Sequence, residues 1–187
     1  VESDGQGQQC VVKTVSNEDK NPPLTYVDSG FFRYLIGMTT TEALQKLQHY
    51  CAYQERSPFE VKRKLDLIKL PRERHEEVIA TLMEENYLDE YRFTEAYCQG
   101  KLNQKHWAPK RIRLGLQEHR IPRVTIERIL NQVPHERVEE NALYLADRWF
   151  GSKTKEQLAA AMQRRGYSFE LINRAYHLVE EERKGSL

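Results

Sequence analysis

Helix punctuation constrains this chain more than any other feature, because it recurs in order from Thr39 to Val179. Thr39-x-x-Glu42 has the form of a capping box, in which a hydroxyl and a carboxylate each satisfy an amide left free at a helix start. Ala43, Leu44, Leu47, Tyr50 and Cys51 follow at helical spacing. Ser57-Pro58-Phe59-Glu60 opens a second helix: Ser57 caps, Pro58 brings the fixed φ that suits a first turn, and Val61, Leu65 and Ile68 follow. Pro71 suits the first turn of a third helix, with Val78, Ile79, Leu82 and Met83 on one face. Asp89 caps a fourth through Phe93, Ala96 and Tyr97. Pro109 opens a fifth with Ile112 and Leu116, and Pro122 a sixth with Ile126, Ile129 and Leu130, which Pro134 ends. Val138, Ala142, Leu145 and Trp149 define a seventh. Thr154-x-x-Gln157 boxes an eighth with Leu158 and Met162, closed by Gly166. Ser168 caps the ninth, with Ile172, Tyr176 and Val179. The expected fold class is therefore all-α, with no strand after residue 39.

The helices fall into threes. Val61/Leu65, Ile112/Leu116 and Leu158/Met162 stand at one four-residue spacing, each followed five residues on by Leu70, Ile121 or Tyr167. Val78/Leu82, Ile126/Leu130 and Ile172/Tyr176 repeat a second pair, and the first triplet holds three extra residues near Arg72. Offsets of 51 and 46 residues mark tandem three-helix repeats, each too small to bury its own core fully. The expected division is an N-terminal arm over 1–38, then repeats over 39–88, 89–134 and 135–187, the last with a short tail.

Residues 1–38 read as a mobile arm. Gly5 to Gln9 is of low complexity, and Asn21-Pro22-Pro23 blocks regular structure. Val11, Val12 and Val15 could form a short strand, with Leu24 to Val27 as a hairpin partner. Three cysteines, Cys10, Cys51 and Cys98, without a CxxC pair, argue against a disulfide framework, and Cys51 and Cys98 read as buried fillers. No basic region precedes an apolar one at the start of the chain, so a cytoplasmic location is expected. A mean hydropathy of −0.77 excludes a membrane protein, and ten Tyr, six Phe and two Trp exclude disorder throughout.

Catalytic chemistry is hard to build from this chain. It has no phosphate-binding Gly loop and no HExxH, and its six histidines never fall at i, i+4 with a third ligand near. His75, His135 and His177 stand among charged residues and read as solvated, while His106 and His119 belong to a basic stretch. Neither a catalytic residue, nor a metal, nor a cofactor is expected.

Charge is segregated although the net is only +1. Residues 73–95 hold eight acids against Arg74 and Arg92, and residues 101–128 hold eight bases against Glu118 and Glu127. The basic block surrounds Trp107 and sets Lys110, Arg111 and Arg113 in the first turn of a helix, where bases oppose the helix dipole. A sequence that tolerates this penalty presents those bases, with the free amides, to a phosphate or carboxylate. Lys105, Lys110, Arg111, Arg113 and Arg120 are thus expected to face nucleic acid or a groove lining. Glu76, Glu77, Glu84, Glu85 and Glu90 are expected to meet a basic protein partner. DNA contact should be weak and not sequence-specific, since nothing here reads base edges in a defined way.

Four stretches then carry a resemblance: Arg56-Ser57-x-x-Glu60-Val61, Tyr87-Leu88-Asp89-Glu90-x-Arg92-Phe93-x-x-x-Tyr97, Lys110-Arg111-Ile112-x-x-x-Leu116, and Arg164-Arg165-Gly166-Tyr167. Together they resemble the RecX family of recombinase regulators over about residues 40–183. The resemblance implies a curved array of three tandem three-helix repeats that binds RecA, settles into the groove of the RecA–DNA filament and modulates, mostly inhibits, its recombinase and ATPase activities. It implies a monomer acting in recombination, repair and the SOS response, with no membrane partner. A helical DNA-binding regulator acting without RecA is the alternative, and an interaction scaffold unrelated to DNA a third. Within the motifs, Tyr87, Phe93 and Tyr97 read as packing residues joining the first two repeats, Asp89 as a cap, Arg92 as its charge partner and Arg56 as a clasp on the preceding helix end. The family often has Gly where this chain has Arg120, so the second repeat is expected to lose a Gly turn, and Ala108-Pro109 stiffens the approach to the fifth helix.

Overall fold

The computed structural model describes residues 38–185. The expected arm lies outside them apart from Met38, and Cys10 with it. Nine helices follow in order: α1 (Thr40–Tyr53), α2 (Pro58–Leu67), α3 (His75–Glu84), α4 (Glu90–Gln104), α5 (Pro109–Glu118), α6 (Arg123–Leu130), α7 (His135–Trp149), α8 (Lys155–Arg164) and α9 (Phe169–Gly185). Among the described residues there is no strand, only an isolated bridge between Phe150 and Lys153. None of these helices is long and apolar enough to cross a membrane.

The caps explain where helices begin. Thr39, Ser57 and Thr154 each complete a capping box. The Asp89 carboxylate accepts from the Arg92 amide at 2.9 Å, and Ser168 Oγ from the Leu171 amide at 3.3 Å. Pro122 and Pro134 stand at the N-cap positions of α6 and α7, so Pro134 introduces α7, while α6 has already ended at Leu130. Pro71 likewise precedes a 3₁₀ turn, Arg72–Arg74, rather than entering α3, and that turn is the three-residue insertion. The second helix of every triplet ends alike. Lys69, Arg120 and Gly166 take φ of 60°, 58° and 92°, and the next residue (Leu70, Ile121, Tyr167) turns inward and is buried. The amides of those three bond back to Leu65, Leu116 and Met162, the closing bond of a Schellman turn. The middle turn survives without glycine, because Arg120 itself adopts the left-handed conformation.

Three clusters of buried side chains follow the chain. Ala43, Leu47, Val61, Leu65, Val78 and Leu82 form the first. Phe93, Leu102, Ile112, Leu116, Ile126 and Leu130 form the second, and Ala142, Leu145, Leu158, Met162, Ile172 and Val179 the third. Several expected positions differ. Met83 and Ala96 face water, while Thr94 is inside, its hydroxyl donating to the Glu90 carbonyl at 2.7 Å. His75 is 1% exposed, not solvated. A carbonyl only accepts, so the 2.8 Å contact from His75 Nε2 to the Leu70 oxygen puts the proton on Nε2. Tyr87 is 37% exposed, while Phe93 is buried.

Polar contacts tie neighbouring triplets. Arg92 does not pair with the Asp89 carboxylate but reaches Glu55 at 2.6 Å and donates to the Asn86 carbonyl. His119 lies 3.4 Å from the Ser57 hydroxyl and packs on the rings of Phe93 and Tyr97. Between the second and third triplets, the buried Asn141 amide donates to the Leu102 carbonyl at 2.9 Å and its oxygen meets His106 Nδ1 at 2.8 Å. The Ala108 amide donates to the Arg165 carbonyl at 2.9 Å, and the Tyr167 hydroxyl to the His106 carbonyl at 3.0 Å. Ala108 packs into the third cluster, although it precedes a helix of the second.

Candidate nucleic-acid interface

The expected basic residues are dispersed over three clefts and one internal ion pair. Arg113 is the internal one: its Nε and Nη2 donate to the two Glu127 oxygens at 2.8 and 2.9 Å, α5 to α6. That fork holds the Glu127 carboxyl below its ordinary range and raises the Arg113 pKa. Lys105 lines a cleft with Glu55, Tyr97, Gly100 and Lys101. Arg120 lines another with Phe59, Lys62, Glu76, Met83 and Glu90, its guanidinium 4.5 Å from the Phe59 ring centre.

Lys110 and Arg111 share the third cleft, of about 690 Å³, between the start of α5 and the turn joining α8 to α9. Leu114, Gln163, Arg164, Gly166, Tyr167, Ser168 and Phe169 complete its lining. The sequence explains the geometry. Gly166 presses on the first turn of α5, where a Cβ would stand 2.7 Å from the Arg111 amide nitrogen. Only glycine combines that approach with a φ of 92° at no steric penalty. α5 has no side-chain cap, since Ala108 stands where Ser57 and Thr154 cap α2 and α8. The amides of this helix start are therefore not displayed to solvent as a group: Ala108 bonds across to Arg165, and Arg111 bonds locally to the Ala108 carbonyl.

Around this cleft the cations differ in freedom. Arg111 stacks 4.8 Å over Trp107, with Glu118 at 3.7 Å. Lys101 also lies over Trp107, at 5.1 Å. Arg165 is structural: it stacks 4.7 Å over Trp149, donates to the Ala161 carbonyl, and burial lowers its pKa. Burial pushes the Tyr167 hydroxyl pKa up, consistent with its role as a donor. Lys110 and Arg164 are exposed. Arg164 belongs to the site although α8 lies outside the basic block of the sequence. Its signal was the Arg164-Arg165-Gly166 stretch together with the repeat offset that sets Gly166 level with Arg120.

The acidic residues lie on and beside α3. Glu76, Glu77, Glu84 and Glu85 are exposed, and Glu90 is half-buried. Lys62 donates to Glu76 at 2.7 Å and lowers its pKa, Gln48 donates to Glu85 at 2.6 Å, and Thr125 to Glu90 at 3.2 Å. No group of three or more His, Cys, Asp or Glu is placed to hold a metal among the described residues.

A family model described as the second three-helix domain of RecX matches residues 89–130. The Regulatory protein RecX of Vibrio parahaemolyticus is 30% identical over 112 residues, 57% of this chain and 72% of that protein. The Regulatory protein RecX of Bacillus pumilus is 28% identical over 160 residues, 80% of this chain and 61% of that protein. The crystal structure of RecX from Lactobacillus salivarius superposes with a TM-score of 0.64 at 19% identity, covering 75% of this chain and 96% of the other. A second crystal structure, of a regulatory protein RecX, gives 0.61 at 21% identity, covering 84% and 79%. These structural likenesses show the all-helical fold.

Proposed function

Because the chain belongs to the RecX family, we propose that it is a non-catalytic regulator of the RecA recombinase, binding RecA and its filament on DNA and mostly inhibiting recombinase and ATPase activity. The likeness to the Vibrio regulatory protein over 72% of that protein carries the reading. The setting would be the cytoplasm, in recombination, repair and the SOS response, with the protein acting as a monomer and without a cofactor. In this reading the three repeats divide at about residues 88 and 134.

The charge layout supports it. A protein of net charge +1 gains little from global attraction and depends on oriented patches. Lys110, Arg111 and Arg164 suit phosphates, and the exposed acids of α3 suit a basic protein surface. Purified protein should co-precipitate with RecA and change the rate at which RecA hydrolyses ATP on single-stranded DNA. DNA binding with no RecA capture and no change in that rate would favour the independent DNA-binding regulator instead.

A further inference from the structure

The cleft between the second and third triplets is more than a patch of positive charge. Three cations and no carboxylate line it, the Glu118 that meets Arg111 at 3.7 Å standing outside the lining, whereas the corresponding cleft one repeat earlier carries Glu76 and Glu90 beside Lys62 and Arg120. Apolar surface is exposed within the basic one. Phe169, the first residue of α9, is 62% exposed, and Leu114 on α5 is 46% exposed. An inorganic anion has no use for that ring, and a duplex offers outward only groove edges and phosphates. A single strand alternates phosphates with flat unstacked bases, which are the two chemistries the cleft presents.

We propose that this cleft binds single-stranded nucleic acid by stacking one base on Phe169, while Lys110, Arg111 and Arg164 hold the flanking phosphates. Leu114 supplies an apolar wall, and the Gln163 amide can reach a base edge without selecting one base strongly. Arg111 is already oriented by its stack on Trp107, so holding it against a phosphate loses little further side-chain freedom. The inference rests on the reading above, that this face meets DNA, and it adds a preference for unpaired strands.

The test uses the full chain and an oligothymidylate carrying one 2-aminopurine, alone and annealed to its complement. Stacking on an aromatic ring should quench the 2-aminopurine of the single strand on binding and leave the duplex unquenched. Phe169→Leu, at an exposed position and with helicity checked by circular dichroism, should abolish the quench and weaken single-strand binding about 5- to 100-fold, with the salt slope unchanged. Lys110→Gln with Arg164→Gln should flatten the slope of log K against log salt by about 1.4. A full quench in Phe169→Leu overturns the proposal. So does tighter binding of a Glu-rich peptide bearing one Phe, abolished in the same variant, which would make the cleft a peptide site. The ATPase assay stays separate: altered RecA turnover with an unchanged quench in Phe169→Leu sinks the stacking site alone. A Phe169-dependent quench without any effect on RecA sinks the regulator reading alone.

Discussion

Gly166 is held to glycine by two independent demands, a left-handed backbone and the first turn of α5 pressed against its Cα. Gly166→Ala should destabilise the protein by about 1–3 kcal/mol in urea unfolding, from backbone strain with the clash adding to it. Lys69, at the corresponding turn, is exposed with φ 60°, and Lys69→Gly should stabilise by about 1 kcal/mol, as read from the same melts. Burial raises the thiol pKa of Cys51 and Cys98 to about 11 each. An unfolded thiol ionises near 9, so these residues add stability that is complete below pH 9 and is lost as pH rises toward 11. Peptide mapping after alkylation at about pH 8 should find both unlabelled until denaturant is added. The cysteines were legible as buried fillers, but His75 was not. Its neighbours Arg74, Glu76 and Glu77 are charged, yet adjacent residues on a helix point about 100° apart, and so reveal little about its side.

Helix starts were legible because a cap is written in two or three adjacent residues. Ser57 and Thr154 head equivalent helices, but Ser57 is fully buried against His119 and Thr154 is exposed. Thr154→Ala should therefore lose about 1 kcal/mol of stability and Ser57→Ala closer to about 2 kcal/mol, by thermal or urea melts. Apolar spacing served less well on α4, where Thr94 takes an inner position and the expected Ala96 is exposed. A threonine whose hydroxyl bonds back to the previous turn can enter a core, and a hydrophobicity pattern passes over it. Arg113 carries a contact that its place in the sequence did not reveal. Its partner Glu127 stands on the next helix, so the helix-dipole penalty in α5 is answered by tertiary pairing rather than by a ligand. The depressed Glu127 carboxyl adds stability that is present above the ordinary carboxylate pKa and is lost as pH falls through its lowered folded value. Glu127→Gln should remove that acid-side dependence in melts at about pH 3 to 7.

Across the whole molecule, the repeat was readable because the same turn, cap and apolar pair return three times. The grouping of charge was not, since a run of bases on helices is distributed over different sides by the fold. Lys105, Lys110 and Arg120 each line a different cleft, and Arg164 joins Lys110 from more than fifty residues away. Of the bases near the start of α5, Arg113→Gln should leave the salt dependence of DNA binding nearly unchanged while lowering stability. Lys110→Gln should flatten the slope by about 0.7, the share of one single-strand phosphate. Titrations at several salt concentrations check both, and equal slopes for the two variants would show that the Arg113 fork does not take it out of the interface.

The bond from the Ala108 amide to the Arg165 carbonyl also sets a timetable. Those partners are 57 residues apart in the chain. At about 5–20 residues per second, a ribosome needs about 3–11 s to make the stretch between them. During that interval the nascent middle triplet waits with an open amide and with Ala108 lacking its apolar neighbours. Its final closure thus waits for the third triplet rather than coming at the moment its own three helices emerge.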